Sequence, residues 1–226
     1  MSSTYLAHNY FLISLYIRRH HSVCLSENSN GLYLIGGYGR NRLILDNVDY
    51  VCLETMKVTE LPSMPAQVCS PATCFFNGRL FVIKSQICVY QPSLKSWSKI
   101  DDIDLPKHME FNRAMVYENF IYLTGNHSYE LYRFNPDWKL SDHDGSGVIK
   151  REHELELLGK FSNEAQNVCI VGDKIFNFST DQFEYNSTIE TYDLKEGKFN
   201  VVWEEETDDF DFSPYQSSGC FPLVIY

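Results

Sequence analysis

The residues capable of metal binding or catalysis are spread along this chain and do not fall at the spacings of known sites. Zinc sites need clustered ligands, and the cysteines form no CxxC pair. The HExxH motif is absent, because His153-Glu154 has no second histidine at residue 157, and GxSxG is absent too. We therefore predict no catalytic residue, no metal site and no cofactor, and expect that the protein is not an enzyme. The cysteines lie at residues 24, 52, 69, 74, 88, 169 and 220.

Two acidic segments have simple structural interpretations. Asp142-His143-Asp144-Gly145 is partly similar to a calcium loop, but the EF-hand pattern places glycine sixth and here it is fourth. A loop inserted between two strands is the interpretation we prefer. The run at 204–211 holds six carboxylates in eight residues, so it must be exposed and self-repelling. We expect a solvated link there, with contact to a basic partner as the alternative.

Composition disfavours nucleic acid and membranes as partners. The net charge is -11 and no basic patch is visible. The nearest basic cluster, Arg18-Arg19-His20-His21, is short, so we expect a solvated strand edge there, with a contact patch as the alternative. The apolar run at 10–17 is too short to span a bilayer, and its charges follow it instead of preceding it as in a signal peptide. The odd number of scattered cysteines favours a reducing compartment. We expect a cytoplasmic protein.

A short pattern recurs four times: a polar turn, then an aromatic residue within a run of apolar residues. The aromatics are Tyr33, Phe81, Tyr122 and Phe176, at separations of 48, 41 and 54 residues. Each copy is preceded by another apolar stretch across a tight turn, as in a hairpin, and is followed by two further strands. Four-stranded units at such a period are typical of β-propeller blades. A generic antiparallel sandwich is the alternative.

The predicted fold is therefore all-β, with four four-stranded blades and the start of a fifth. The blades span approximately residues 20–66, 67–107, 108–162 and 163–212, with a partial fifth at 213–226 and a separate N-terminal strand or extraneous segment at 1–19. Glycines are expected where a strand ends in a sharp turn, and aromatics where adjacent blades pack. The predicted structural residues are Gly36, Gly37, Tyr50, Tyr90, Trp97, Tyr192 and Trp203.

Several motifs carry a resemblance to a known family. They are the run ending in a double glycine at 32–37, the segments at 46–50 and 61–65, Tyr90-Gln91-Pro92 followed by Trp97, and the arginine-containing stretch at 112–116. These motifs resemble kelch repeats, and the chain is most similar to the kelch region of BTB–kelch proteins. The similarity covers 20–226, although only the first of the four repeats keeps both glycines.

The resemblance implies a protein-binding module, plausible as the substrate-recognition part of a cullin–RING ubiquitin ligase adaptor if a BTB region exists outside this chain. The alternative is a kelch protein that binds actin or the cytoskeleton, which the net charge of -11 disfavours. A propeller enzyme with an axial metal is a third class. A rigid sheet that holds loops at its edge favours binding through those loops.

Contact residues are expected in the loops between strands two and three and in the links between blades. The predicted protein-binding residues are Tyr38, Arg40, Asn41, Arg42, Arg113, Asn126, His127 and Asn167, with His21 and Ser70 at further inter-blade positions. We predict that Arg40, Arg42 and Arg113 share one rim and bind an acidic peptide, because arginine pairs with carboxylates through a bidentate fork.

Overall fold

The computed structural model describes residues 18–101, 103–136, 155–180 and 187–205. The chain divides into two compact units, Met1–Ala114 and Met115–Tyr226. The described part contains sixteen strands and one short 3-10 turn at Arg40–Arg42. The predicted fifth blade at 213–226, the inserted loop around Asp142 and most of the 1–19 segment lie outside the described residues.

The strands form four antiparallel sheets of four strands each, and consecutive strands are neighbours in every sheet. Sheet 1 contains β1 (Ser22–Leu25), β2 (Gly31–Ile35), β3 (Val48–Cys52) and β4 (Val58–Glu60). Sheet 2 contains β5 (Ala72–Phe76), β6 (Arg79–Ile83), β7 (Ile87–Gln91) and β8 (Ser96–Ile100). Sheet 3 contains β9 (Phe111–Tyr117), β10 (Phe120–Gly125), β11 (Glu130–Phe134) and β12 (Glu156–Lys160). Sheet 4 contains β13 (Asn167–Val171), β14 (Lys174–Thr180), β15 (Ser187–Asp193) and β16 (Lys198–Glu205).

This architecture confirms the predicted fold class: an all-β chain of four-stranded sheets with the meander topology of propeller blades. Two strands of sheet 3 have further features. The last strand is Glu156–Lys160, where Gly159 at φ +152° accompanies a register irregularity. The first strand of sheet 3 begins at Phe111, which is fully buried, so Arg113 belongs to a strand and not to a link.

In the first unit, the core lies between sheets 1 and 2. Side chains of sheet 1, including Tyr33 and Ile35, pack in one cluster with Leu80 and Tyr90 of sheet 2. Val68, from the segment that links the two sheets, completes the cluster. Side chains alternate between the two faces of a strand, so one set of residues in each sheet meets the other sheet. Burial of these large apolar side chains stabilises the pair of sheets by about 1.5–3 kcal/mol for each side chain.

The second unit repeats this arrangement between sheets 3 and 4. Tyr122 and Leu131 of sheet 3 cluster with Ile175 and Tyr192 of sheet 4, and the linking residue Phe161 fills the space between them. Because both pairs of sheets bury a tyrosine from the third strand of the later sheet, the packing follows the sequence repeat.

The predicted structural aromatics have different environments. Tyr90 is buried and lies beside Trp97 with ring centroids 5.0 Å apart, and Tyr192 lies beside Phe199 at 4.7 Å. Tyr50 is half-buried, and its hydroxyl donates to Asn30 Oδ1 at 3.0 Å. Trp203 has 43% of its surface exposed, and its packing role between blades stays a prediction. Its predicted neighbour, the fifth blade, lies outside the described part of the chain.

Candidate functional site

The double glycine after β2 has the backbone geometry that the sequence predicts. Gly36 and Gly37 have φ values of +58° and +96°, in the region that side chains disfavour. The amide of Gly36 donates to the Asn47 carbonyl at 3.0 Å, and that of Gly37 to the Val68 carbonyl at 2.8 Å. A Cβ atom on Gly37 would lie only 2.6 Å from the Arg19 carbonyl oxygen. The turn therefore lets three segments, around residues 19, 37 and 68, meet at one edge of sheet 1.

A small hairpin leaves this turn and presents basic residues to solvent. Arg19 and Tyr38 exchange two backbone hydrogen bonds, at 3.0 and 2.7 Å. The Gly39 amide donates to the Leu43 carbonyl at 2.9 Å, which closes the loop over Arg40, Asn41 and Arg42. All three tip residues are exposed. The loop is thus anchored at its base, and the two arginine side chains project from its tip.

The hairpin and the segment before β1 together form an open groove of ≈ 690 Å³. Arg19 and His20 line one part of it, and residues 38–42 line the rest. The ring of His20 stands edge-on to that of Tyr38, with centroids 5.8 Å apart, and Cys69 Sγ donates to Tyr38 Oη at 3.4 Å. No aspartate or glutamate is among the described residues that line the groove. We call this surface the arginine groove.

Adjacent arginines have opposite roles at this site. Arg18 forms an ion pair with Asp49, with Nη2 and Oδ2 2.6 Å apart and both side chains largely buried. Within the described ranges, Arg19, Arg40 and Arg42 form no ion pair. These three arginines therefore add local positive charge to a chain whose net charge is -11. Such a local reversal of sign attracts anionic ligands and orients them during encounter.

His21 follows the groove residue His20 in the chain and adds no charge to the groove at neutral pH. Burial lowers the pKa of its imidazole, and the nearby Arg18 guanidinium lowers this pKa further. Its Nδ1 atom is buried without a hydrogen-bond partner in the described structure. The His21 backbone lies close to Gly37, so the residue supports the turn. The charge of the arginine groove therefore comes from its arginines.

The structure gathers only part of the predicted contact set. Tyr38, Arg40, Asn41 and Arg42 lie together in the groove, as their sequence order suggests. Arg113 is in β9 and does not line the groove; its Nη1 donates to the Asn112 carbonyl at 3.2 Å. Within the first unit, the third arginine beside Arg40 and Arg42 is Arg19 instead.

The remaining predicted residues belong to the second unit. Asn126 and His127 are exposed in the connection between β10 and β11. His127 Nδ1 lies 3.3 Å from Glu164 Oε2. Asn167, predicted as a link residue, is the first residue of β13. These three residues therefore form no part of the arginine groove.

Two features of the site were missed by sequence reasoning. Arg19 falls in the segment that the prediction sets apart as 1–19, yet its backbone pairs with Tyr38. The second missed feature is the backbone hydrogen bond between Ser70 and His20, in which the Ser70 amide donates to the His20 carbonyl at 2.7 Å. The available signal was the basic cluster at 18–21, which we interpreted as a solvated edge.

The second unit contains a polar network at the corresponding sheet edge. The buried Glu190 carboxylate accepts the amide of Ser162 at 2.7 Å and that of Asn163 at 3.1 Å. The Asn163 side chain donates to Thr188 Oγ1 at 2.9 Å. Because each of these groups is used internally, the network fixes the link between sheets 3 and 4 and offers no open binding site.

No protein-family model matches the sequence, and no curated protein matches it. Among the described residues, no group of three or more His, Cys, Asp or Glu side chains is arranged to hold a metal ion. The same part of the chain has no helix with the length and apolar character needed to cross a membrane.

Proposed function

We propose that this protein is a protein-binding module and that its first unit holds an acidic segment of a partner in the arginine groove. The observation that carries this proposal is the cluster of Arg19, Arg40 and Arg42, none of which has an ionic partner in the described structure. Guanidinium groups bind carboxylates through paired hydrogen bonds. An acidic peptide supplies the charge that the groove lacks.

The scaffold supports this function because it fixes the loop that carries the charges. The Gly36-Gly37 turn and the Arg19–Tyr38 backbone pair hold the base of the hairpin. Preorganised groups lose less entropy on binding than groups on a flexible chain. The kelch resemblance of the sequence agrees with a loop-mediated binding role, and the acidic segment in that case belongs to a client of a ubiquitin ligase adaptor.

A peptide-binding assay on the full chain tests the proposal. A fluorescein-labelled oligoglutamate peptide is titrated with wild-type protein and followed by fluorescence anisotropy, with an uncharged glycine–serine peptide as the blank. We expect Arg40→Ala/Arg42→Ala to weaken oligoglutamate binding at least tenfold, about 1.4 kcal/mol. Added salt should weaken binding of the wild type, since the contact is between exposed charges.

Arg113→Ala is the matched control, because it removes an arginine of the same unit that lies outside the groove. It should change the affinity less than twofold. Circular dichroism melts check folding, and exposed substitutions are expected to shift stability by no more than about 0.5 kcal/mol. Equal losses for the two variants, or unchanged binding by the double variant, would contradict the proposal.

A further inference from the structure

We infer that the arginine groove prefers a phosphorylated segment over a merely acidic one; this rests on the proposed function, since it specifies the ligand of the same groove. Three arginines, and no aspartate or glutamate, are among the described residues that line the groove. Together these residues offer far more hydrogen-bond donors than a single carboxylate can accept.

The number of oxygens separates the two ligand types. A carboxylate has two oxygens, and one guanidinium fork occupies both of them. A phosphoryl monoester carries about -1.5 to -2 charges at neutral pH and three acceptor oxygens, so two or three arginines can share it. Arg40 and Arg42 belong to one loop, while Arg19 approaches from a separate segment that is hydrogen-bonded to the base of that loop. Arginines from two separate segments suit a ligand with three acceptor oxygens.

The neighbouring groups point to a peptide as the bearer of the phosphoryl group. Tyr38 and His20 also line the groove, and their rings pack edge to face with centroids 5.8 Å apart. The Tyr38 hydroxyl accepts a hydrogen bond from the Cys69 thiol, so its own O–H group can still donate a hydrogen bond to a ligand. Aromatic rings with a polar tip are common at protein interfaces, where they contact both the backbone and the side chains of a partner.

Three labelled glycine–serine peptides of equal length test this inference on the full chain. One carries two phosphoserines, the second carries four glutamates and so has about the same charge, and the third is unmodified. We expect the phosphoserine peptide to bind at least tenfold more tightly than the glutamate peptide. Arg40→Lys/Arg42→Lys keeps both charges but removes the forks. It should weaken binding of both charged peptides, and it should reduce the preference for the phosphoserine peptide at least fivefold, because a phosphoryl group uses more of the lost forks than a carboxylate does.

The outcomes separate this inference from the proposed function. Equal affinities for the two charged peptides would overturn the phosphoryl preference and leave the acidic-ligand proposal standing. If neither charged peptide binds, both the phosphoryl preference and the acidic-ligand proposal are overturned. Inorganic phosphate that binds as tightly as the phosphoserine peptide would show that free phosphate is the ligand. Tighter binding to phosphoinositide vesicles than to that peptide would show that a membrane surface is the ligand, and either result contradicts the inference. Arg113→Lys should leave all affinities unchanged.

Discussion

Gly36 packs directly against Val68, the residue that links sheets 1 and 2. A Cβ atom on Gly36 would lie 2.8 Å from Val68 Cγ2 and still closer to the Val68 carbonyl oxygen. That oxygen accepts the Gly37 amide, so it cannot move away without losing a hydrogen bond. The double glycine is thus required both by its left-handed φ values and by the approach of a second backbone segment.

Gly36→Ala should destabilise the protein more than Gly78→Ala. Both residues have positive φ, +58° and +72°, and each substitution costs about 1–2 kcal/mol for that reason. A Cβ on Gly78 meets only the end of the Glu27 side chain, at 4.0 Å. We expect Gly36→Ala to cost at least about 1 kcal/mol more in the free energy of unfolding, measured by urea denaturation. Equal losses of unfolding free energy in the two variants would show that Val68 can move away from the added Cβ atom without cost.

Trp97→Phe should destabilise the first unit through one hydrogen bond. The indole N–H of Trp97 donates to the Pro62 carbonyl at 2.7 Å, and this bond ties β8 to the segment that follows β4. Phenylalanine keeps an aromatic ring beside Tyr90 but has no donor. We expect a loss of about 0.5–1.5 kcal/mol in unfolding free energy. Trp203→Phe, at an exposed position, is the control and should change stability by no more than about 0.5 kcal/mol. The reverse order of the two losses would contradict this assignment.

Glu190→Gln should destabilise the second unit although the side chain keeps its size. Both Glu190 oxygens accept backbone amides, and a glutamine would turn its own NH₂ group toward one of these donors. A buried amide without an acceptor costs about 1–3 kcal/mol. Glu196→Gln replaces an exposed carboxylate in the turn between β15 and β16 and should be nearly neutral. Thermal melts followed by circular dichroism compare the two variants, and a neutral Glu190→Gln would disprove the role of the carboxylate.

The cysteines should differ strongly in their reactivity with iodoacetamide. Burial raises the pKa of Cys24 to about 12, so its thiolate is scarce at neutral pH. A hydrogen bond with the Thr55 side chain lowers the pKa of Cys52, which lies at the end of β3. We expect Cys52 to be alkylated first and Cys24 only after unfolding, as resolved by peptide mass spectrometry. Comparable rates for both in the native protein would contradict these environments. Alkylation in urea serves as the positive control for Cys24.

Local patterns were enough to predict the strands and their grouping. Alternation of apolar residues gives the period of a strand, as in β5, where Ala72, Cys74 and Phe76 are buried and Thr73 and Phe75 are partly exposed. Tight polar turns between the runs predict hairpins, and every sheet is built from such neighbours. The positive φ values of Gly36 and Gly37 followed from the same local logic. These features depend on residues close together in sequence.

Only the tertiary structure decided which basic residues form the candidate site. Arg18 and Arg19 are adjacent in the chain, yet Arg18 is neutralised by Asp49 and Arg19 faces the groove. The difference depends on β3, which brings Asp49 next to Arg18 although the two residues are thirty-one positions apart in the sequence. Arg113 was equally plausible from its sequence, and the buried Phe111 places it in a strand instead. Charge sites of this kind depend on contacts between distant segments, and periodicity within one strand holds no information about them.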